Sequence, residues 1–173
     1  MIDPNGGTPK DMIIRDYRDT DLTYVTAIYN DAVVNTTAIW NERVVDEADR
    51  ARWVEARLGL GYPLLIAEVD GIPAGYATFA DFRAFDGYRY TVEHSIYVDG
   101  RFRRRGIARA LLPAVQERAR AIGKHVMIGG ITGDNEASLR LHAEAGFIEV
   151  GRLPEVGRKF DRWLDLVFMQ KIL

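Results

Sequence analysis

The segment Val98-Asp99-Gly100-Arg101-Phe102-Arg103-Arg104-Arg105-Gly106-Ile107-Ala108-Arg109 decides how this chain is read. Before it, Tyr90 to Val98 (YTVEHSIYV) is rich in β-branched and aromatic residues and predicts a strand. After it, Ile107, Leu111, Val115, Ala119 and Ile122 recur at helical spacing. The segment is therefore a strand-to-helix turn. A helix start offers unpaired backbone N–H groups and the positive end of the helix dipole, both suited to an anion. Gly106 and the small Ala108 let a ligand approach the main chain closely. Arg103, Arg104, Arg105 and Arg109 add charge-assisted hydrogen bonds to phosphate oxygens. Five arginines in the nine positions Arg101 to Arg109 also suit a solvated loop or a nucleic-acid patch. The flanking strand and helix favour a pyrophosphate cradle made chiefly of backbone.

The rest of the chain wraps this turn in a mixed α/β pattern. Strands are expected at Met12–Tyr17, Leu64–Val69, Ile72–Ala80, Tyr90–Val98, His125–Thr132, Phe147–Val150 and Trp163–Met169. Helices are expected after Asp19 and Thr20, after Asp46, from Ile107 to Ile122 with a kink at Pro113, and after Asn135. Asp70-Gly71 marks a two-residue hairpin turn. The order is β-α-α-β-β-β-α-β-α-β-β, with no repeat and no dividing linker, so residues 12–173 are expected to form one domain. Met1 to Asp11 lacks the apolar stretch of a secretory signal and reads as a flexible leader, with the cytoplasm as the expected compartment.

Composition excludes several chemistries. The 173 residues are 47% hydrophobic and 28% charged, with net charge −2. That balance argues against a general nucleic-acid binder, and no apolar run approaches the ~20 residues of a membrane helix. With no cysteine, disulfides, thiolate nucleophiles and thiolate-bound zinc are all ruled out. His94, His125 and His142 form no metal-spaced pair, and no metal is expected.

Two blocks carry a family resemblance. Arg103-x-x-Gly106-x-Ala108 after a strand resembles the coenzyme A signature [Q/R]-x-x-G-x-[G/A] of the GNAT N-acetyltransferases. Asn135-x-x-Ser138-x-x-Leu141-His142-x-x-x-Gly146-Phe147 resembles that family's helix after its fifth strand. Ala38-Ile39-Trp40-Asn41, Arg83-Ala84-Phe85-Asp86-Gly87, Tyr90-Thr91-Val92-Glu93-His94-Ser95 and Gly157-Arg158-Lys159-Phe160-Asp161-Arg162-Trp163 narrow the likeness to the phosphinothricin, methionine sulfone and methionine sulfoximine acetyltransferase branch. The likeness implies a mostly antiparallel, twisted sheet flanked by about four helices, with strands splayed at the coenzyme site. It also implies acetyl-CoA as co-substrate, a small amino acid or analogue as acceptor, and a homodimer.

The chemistry needs a neutral amine, a polarised thioester carbonyl and a protonated leaving thiolate. Without cysteine, direct attack in a ternary complex is the simplest route. Glu93 is the candidate base, since a partly buried carboxylate has a raised pKa; the plainer reading pairs it with Arg89. Alternation puts Glu93, Ser95 and Tyr97 on the face opposite His94, Ile96 and Val98, and His94 reads best as a core residue. By resemblance, the backbone of Ile96, Tyr97 and Val98 holds the coenzyme's pantetheine arm, with Ile107 part of the cradle. His142 stands where many relatives carry a tyrosine acid, so it either protonates the thiolate or lines the coenzyme. Asn135 caps its helix and, by resemblance, also bonds the coenzyme. Arg83 is the first choice for an acceptor carboxylate, with Ala84 and Phe85 beside it and Trp40, Lys159 and Phe160 as further acceptor-side candidates. Two other functions fit the same fold: a peptide amino-terminal acetyltransferase, and an acyl-CoA-binding sensor without catalysis.

Overall fold

The structure, a computed structural model, describes residues 11–173, and apart from Asp11 the expected leader lies outside the described residues. Its elements are β1 (Met12–Asp16), α1 (Leu22–Asn35), α2 (Glu47–Gly59), β2 (Leu64–Val69), β3 (Ile72–Asp81), β4 (Thr91–Val98), α3 (Ile107–Ala121), β5 (Val126–Thr132), α4 (Glu136–Glu144), β6 (Ile148–Lys159) and β7 (Arg162–Ile172). This is the expected order.

The strands form one seven-stranded sheet in the order β1-β2-β3-β4-β5-β7-β6. Every neighbouring pair is antiparallel except β4 and β5. Both faces of the sheet are covered, and the alternation of β2 shows how. Leu65, Ala67 and Val69 pack with Ile107, Leu111, Leu112 and Val115 of α3. Leu64 and Ile66 point the other way, toward Val25 and Ile28 of α1 and Val54 of α2. Each such side chain, taken fully out of water, contributes about 1.5–3 kcal/mol, so the central strands read as nearly continuous apolar runs.

Local chemistry sets the element ends. Asp46 accepts the Asp49 N–H at 2.7 Å and starts α2; Asn135 accepts the Ser138 N–H at 3.1 Å and starts α4. Before α1, the organising residue is Asp21 rather than Asp19 or Thr20: it takes the Arg18 N–H at 2.8 Å and both terminal nitrogens of Arg15. Asp70 and Gly71 both have positive φ, 51° and 77°, the conformation that a tight two-residue hairpin turn requires. α3 runs continuously through Pro113, at the loss of the one backbone bond that its missing N–H would have given to Arg109.

The β6–β7 hairpin is much longer than the two short closing strands expected. Phe160 and Asp161 close it with φ of 51° and 55°, although phenylalanine is not a usual turn residue. Irregularities between Glu149 and Gly151, and between Leu153 and Gly157, break the alternation along β6.

The feature that shapes the site is the parallel pair. β4 and β5 are in register only from Thr91–Val126 to Glu93–Ile128. Beyond that point β4 continues to Val98 on β3 alone, and β5 continues to Thr132 on β7 alone. The sheet splits into a V whose apex is Glu93.

Candidate active site

The V opens into a cavity of about 640 Å³. One side is β4 from Glu93 to Val98; the other is Gly130 to Thr132 of β5 with the cap residue Asn135 and Ser138, Leu141 and His142 of α4. Arg103, Arg104, Gly106, Ala108 and Arg109 close the end nearest α3, and Ala38 approaches from the loop between α1 and α2. Most residues singled out for coenzyme binding and catalysis thus meet in one place, although they come from five separate segments.

The cradle end is built as an anion site. Gly106 takes φ 76° just before α3, a conformation costly for residues with a side chain. No side chain caps the first turn of α3, which leaves its amides to a ligand. These residues therefore fit a pyrophosphate. The arginines divide their work. Arg101 is bonded to Asp99, Arg103 lies 3.3 Å from Asp31, and Arg109 lies 2.5 Å from Glu144. Arg105 turns toward the Phe102 ring, 5.4 Å away. Ile107 places its side chain in the core, 2% exposed, so only its main chain belongs to the cradle.

At the apex, two adjacent glycines of β5 make room on opposite faces. Glu93 fills one: a Cβ on Gly130 would stand 2.8 Å from Oε1. Burial pushes the Glu93 carboxyl up, and the charge of Arg83 opposes that rise. On the other face lie His94 and His142, both buried, with their Nε2 atoms 3.0 Å apart. A Cβ on Gly129 would stand 3.0 Å from the His94 Nε2. His142 Nδ1 lies 2.7 Å from the Ser138 carbonyl oxygen. That oxygen only accepts, so Nδ1 carries the hydrogen. Neither nitrogen of His142 is left with a hydrogen directed into the cavity, an arrangement that suits a lining residue. The opposite faces expected for Glu93 and His94 are what the sheet shows.

The acceptor-side candidates fall into two groups. Arg83 leaves β3 with its guanidinium 4.8 Å over Phe82 and within electrostatic reach of Glu93. Ala84 and Phe85 follow it in an exposed loop, Phe85 being 76% exposed. Trp40 and Lys159 act on the loop between α1 and α2. Lys159, 1% exposed, donates from Nζ to the carbonyls of Thr36 (2.7 Å) and Ile39. Trp40 Nε1 donates to the Thr37 carbonyl and to Thr132 Oγ1, while its ring lies against the Cα of Gly157. Thr132 Oγ1 also donates to the Thr37 carbonyl at 2.7 Å. Phe160, half exposed, sits at the tip of the hairpin. Arg89 bonds the Asp86 carbonyl and packs on Tyr90, so the plainer ion pair with Glu93 is not formed.

Gly129, Gly130 and Thr132 are site residues that the sequence alone does not single out, and Ser138 enters there only as part of the family block. A glycine doublet inside an apolar strand is the signal that points to two of them, since glycine in a strand interior marks a close approach. Nothing local signals the His94–His142 contact, which joins residues 48 apart. Among the described residues, no three or more His, Asp or Glu side chains converge as a metal site would.

Known proteins share this arrangement. Residues 17–147 match the acetyltransferase (GNAT) family. An L-methionine sulfoximine/L-methionine sulfone acetyltransferase of Salmonella typhimurium is 52% identical over 159 residues, covering 92% of this chain and 93% of that protein. A phosphinothricin N-acetyltransferase of Alcaligenes faecalis is 40% identical over 163 residues, covering 92% and 82%. The solved structure of an acetyltransferase from Salmonella typhimurium with its cofactor acetyl-CoA superposes with a TM-score of 0.92, at 51% identity over 95% of each chain. The splayed pair, the uncapped helix start and these matches together establish that the chain belongs to the acetyltransferase (GNAT) family.

Proposed function

We propose that residues 12–173 form an N-acetyltransferase domain that acetylates the amino group of a small amino acid or analogue, of the methionine sulfoximine, methionine sulfone or phosphinothricin kind. The observation that carries this is the shared cavity: a half-buried carboxylate with a raised pKa at one end, and an uncapped helix start at the other. Acetyl-CoA, when bound, supplies the activated acetyl group. The first turn of α3, with Arg103 and Arg104, holds its pyrophosphate, and the free edge of β4 from Ile96 to Val98 aligns its arm by backbone hydrogen bonds. Glu93 takes a proton from the acceptor's ammonium group and so frees the nitrogen lone pair for direct attack on the thioester carbonyl; as the C–N bond forms the C–S bond breaks, and the departing thiolate takes up the second proton shed by that nitrogen, through water. Arg83 pairs with the acceptor's carboxylate. Asn135 starts α4 and so fixes the far wall, and His142 lines that wall.

The deciding experiment is a thiol-release assay with acetyl-CoA against amino acids, the three analogues and short peptides. Turnover of the analogues with Glu93-dependent kcat is expected. Turnover of peptides alone would replace this reading with a peptide amino-terminal acetyltransferase, and tight acetyl-CoA binding without turnover would replace it with a sensor.

The same reading includes a homodimer, supported by the exposed apolar side chains Ile148, Val150, Leu153, Val156 and Trp163 on the β6–β7 hairpin. Light scattering after gel filtration tests it. The reading places the enzyme in the cytoplasm, with its donor; no described helix is long and apolar enough to cross a membrane.

A further inference from the structure

We propose that His94 is a positioning residue of this site: its Nε2–H ties α4 to β4 across the apex of the V and holds His142 as a neutral wall with Nδ1 protonated and Nε2 occupied. The inference rests on the acetyl-transfer reading for its consequence, and on geometry for its substance.

Only one assignment of hydrogens satisfies the contacts. The Ser138 carbonyl claims the Nδ1 hydrogen of His142, so His142 Nε2 presents a lone pair. His94 Nε2, 3.0 Å away, must therefore be the donor. That leaves His94 Nδ1 without a hydrogen, and Nδ1 is the buried side-chain atom there that has no partner. The rings lie nearly parallel, with planes 15° apart and centroids separated by 5.0 Å. Phe147 meets both rings edge-on, at 5.7 Å and 5.2 Å between centroids, so neither ring has room to turn.

Position gives the contact its purpose. His94 is the first residue of β4 beyond the last paired position, Glu93–Ile128. Gly129 directly across from it has no side chain to fill the gap, and the histidine pair does so instead. The bond therefore sets the spacing of the two cavity walls at the point where they part. The surroundings keep the pair uncharged. Burial pushes His94 down to about 3, with only His142 adding to that effect, and burial lowers His142 as well.

Two measurements test this. Nitrogen-15 NMR of the imidazoles near pH 7 should show neutral His142 in its Nδ1–H form and neutral His94 in its Nε2–H form. Kinetics of His94→Leu and His94→Gln, with acetyl-CoA and the best acceptor, read the consequence. His94→Leu should lower kcat about tenfold and add an ionisation to the pH profile on the acid side of the ordinary histidine range, because His142 Nε2 is released while burial still holds its imidazole down. His94→Gln, which retains a donor, should recover much of kcat and the original profile. A His142 that is cationic or in the Nε2–H form overturns the proposal, as does a folded His94→Leu with unchanged kcat and pH profile. Wild-type protein without turnover would sink the functional reading, while NMR, which needs no turnover, would still decide the hold of His94 on His142.

Discussion

The Glu93 carboxylate rests on the α-carbon of Gly130, where even a methyl group would come within 2.8 Å of Oε1. The proposed base is thus aimed by a missing side chain on the neighbouring strand.

Gly130→Ala should therefore act as a catalytic variant while leaving the fold intact. The atom in the way is the far end of a flexible side chain, which swings aside at little cost. Since a positioned base contributes roughly 10²–10⁴ in rate, a fall in kcat/KM of about 10- to 100-fold is expected, with a melting temperature close to wild type. Thiol-release kinetics and thermal unfolding check the two halves separately.

Gly129→Ala should show the reverse emphasis. Its methyl would meet two buried imidazoles backed by Phe147, which have nowhere to move. Overpacking of this kind costs about 1–3 kcal/mol, more than the ~0.5–1 kcal/mol gained by removing a glycine from a strand. Urea unfolding should show a lower midpoint at an unchanged slope.

Arg83→Ala should change both substrate affinity and pH dependence. Loss of the guanidinium should raise KM for the amino acid more than for acetyl-CoA. Arg83 also opposes the upward push of burial on Glu93. Without it the carboxyl loses its proton only at higher pH, so the acid limb of kcat/KM should move to higher pH. Equal KM effects on both substrates, with an unmoved limb, would remove Arg83 from the site.

Lys159→Met should weaken the acceptor side alone. The ammonium holds two loop carbonyls, those of Thr36 and Ile39, and each left unpaired costs about 1–3 kcal/mol. We expect a less stable protein with KM for the acceptor raised about tenfold, while KM for acetyl-CoA is unchanged. Steady-state kinetics in both substrates give the split.

Stability should fall on acidification through the histidine range. His94 titrates near 6.5 when unfolded but about 3 when folded. Between those values the unfolded chain binds the extra proton, so stability drops as pH falls, by up to about 1.4 kcal/mol per pH unit. Melting temperature between pH 7 and pH 4 should decline more steeply in wild type than in His94→Leu.

Much of this fold is legible in the order of its residues. Spacing of Ile107, Leu111, Val115 and Ala119 locates α3, Asp46 and Asn135 mark their helices, and Asp70-Gly71 marks its hairpin, because these signals act over a few residues. The long β6–β7 hairpin is not legible in this way: Phe160-Asp161 carries no glycine, and the exposed, twice-irregular β6 has no clean alternation. Lys159 reads as an acceptor-side candidate in sequence, yet lies buried against carbonyls some 120 residues earlier. The contact of His94 with His142 depends on how α4 docks over β4, which no local pattern encodes.

The grip on the loop between α1 and α2 carries a further consequence. Two of its holding residues, Lys159 and Gly157, belong to β6, which contributes nothing to the lining of the cavity, whereas Thr132 of β5 serves both the loop and the cavity wall. On the proposed reading, the acceptor-side loop is thus held in part by a strand that the donor cradle does not use. Drift in the outermost strand can retune which amine is accepted without disturbing the donor machinery, so one ancestral scaffold can diversify its clients while the acetyl source stays the same.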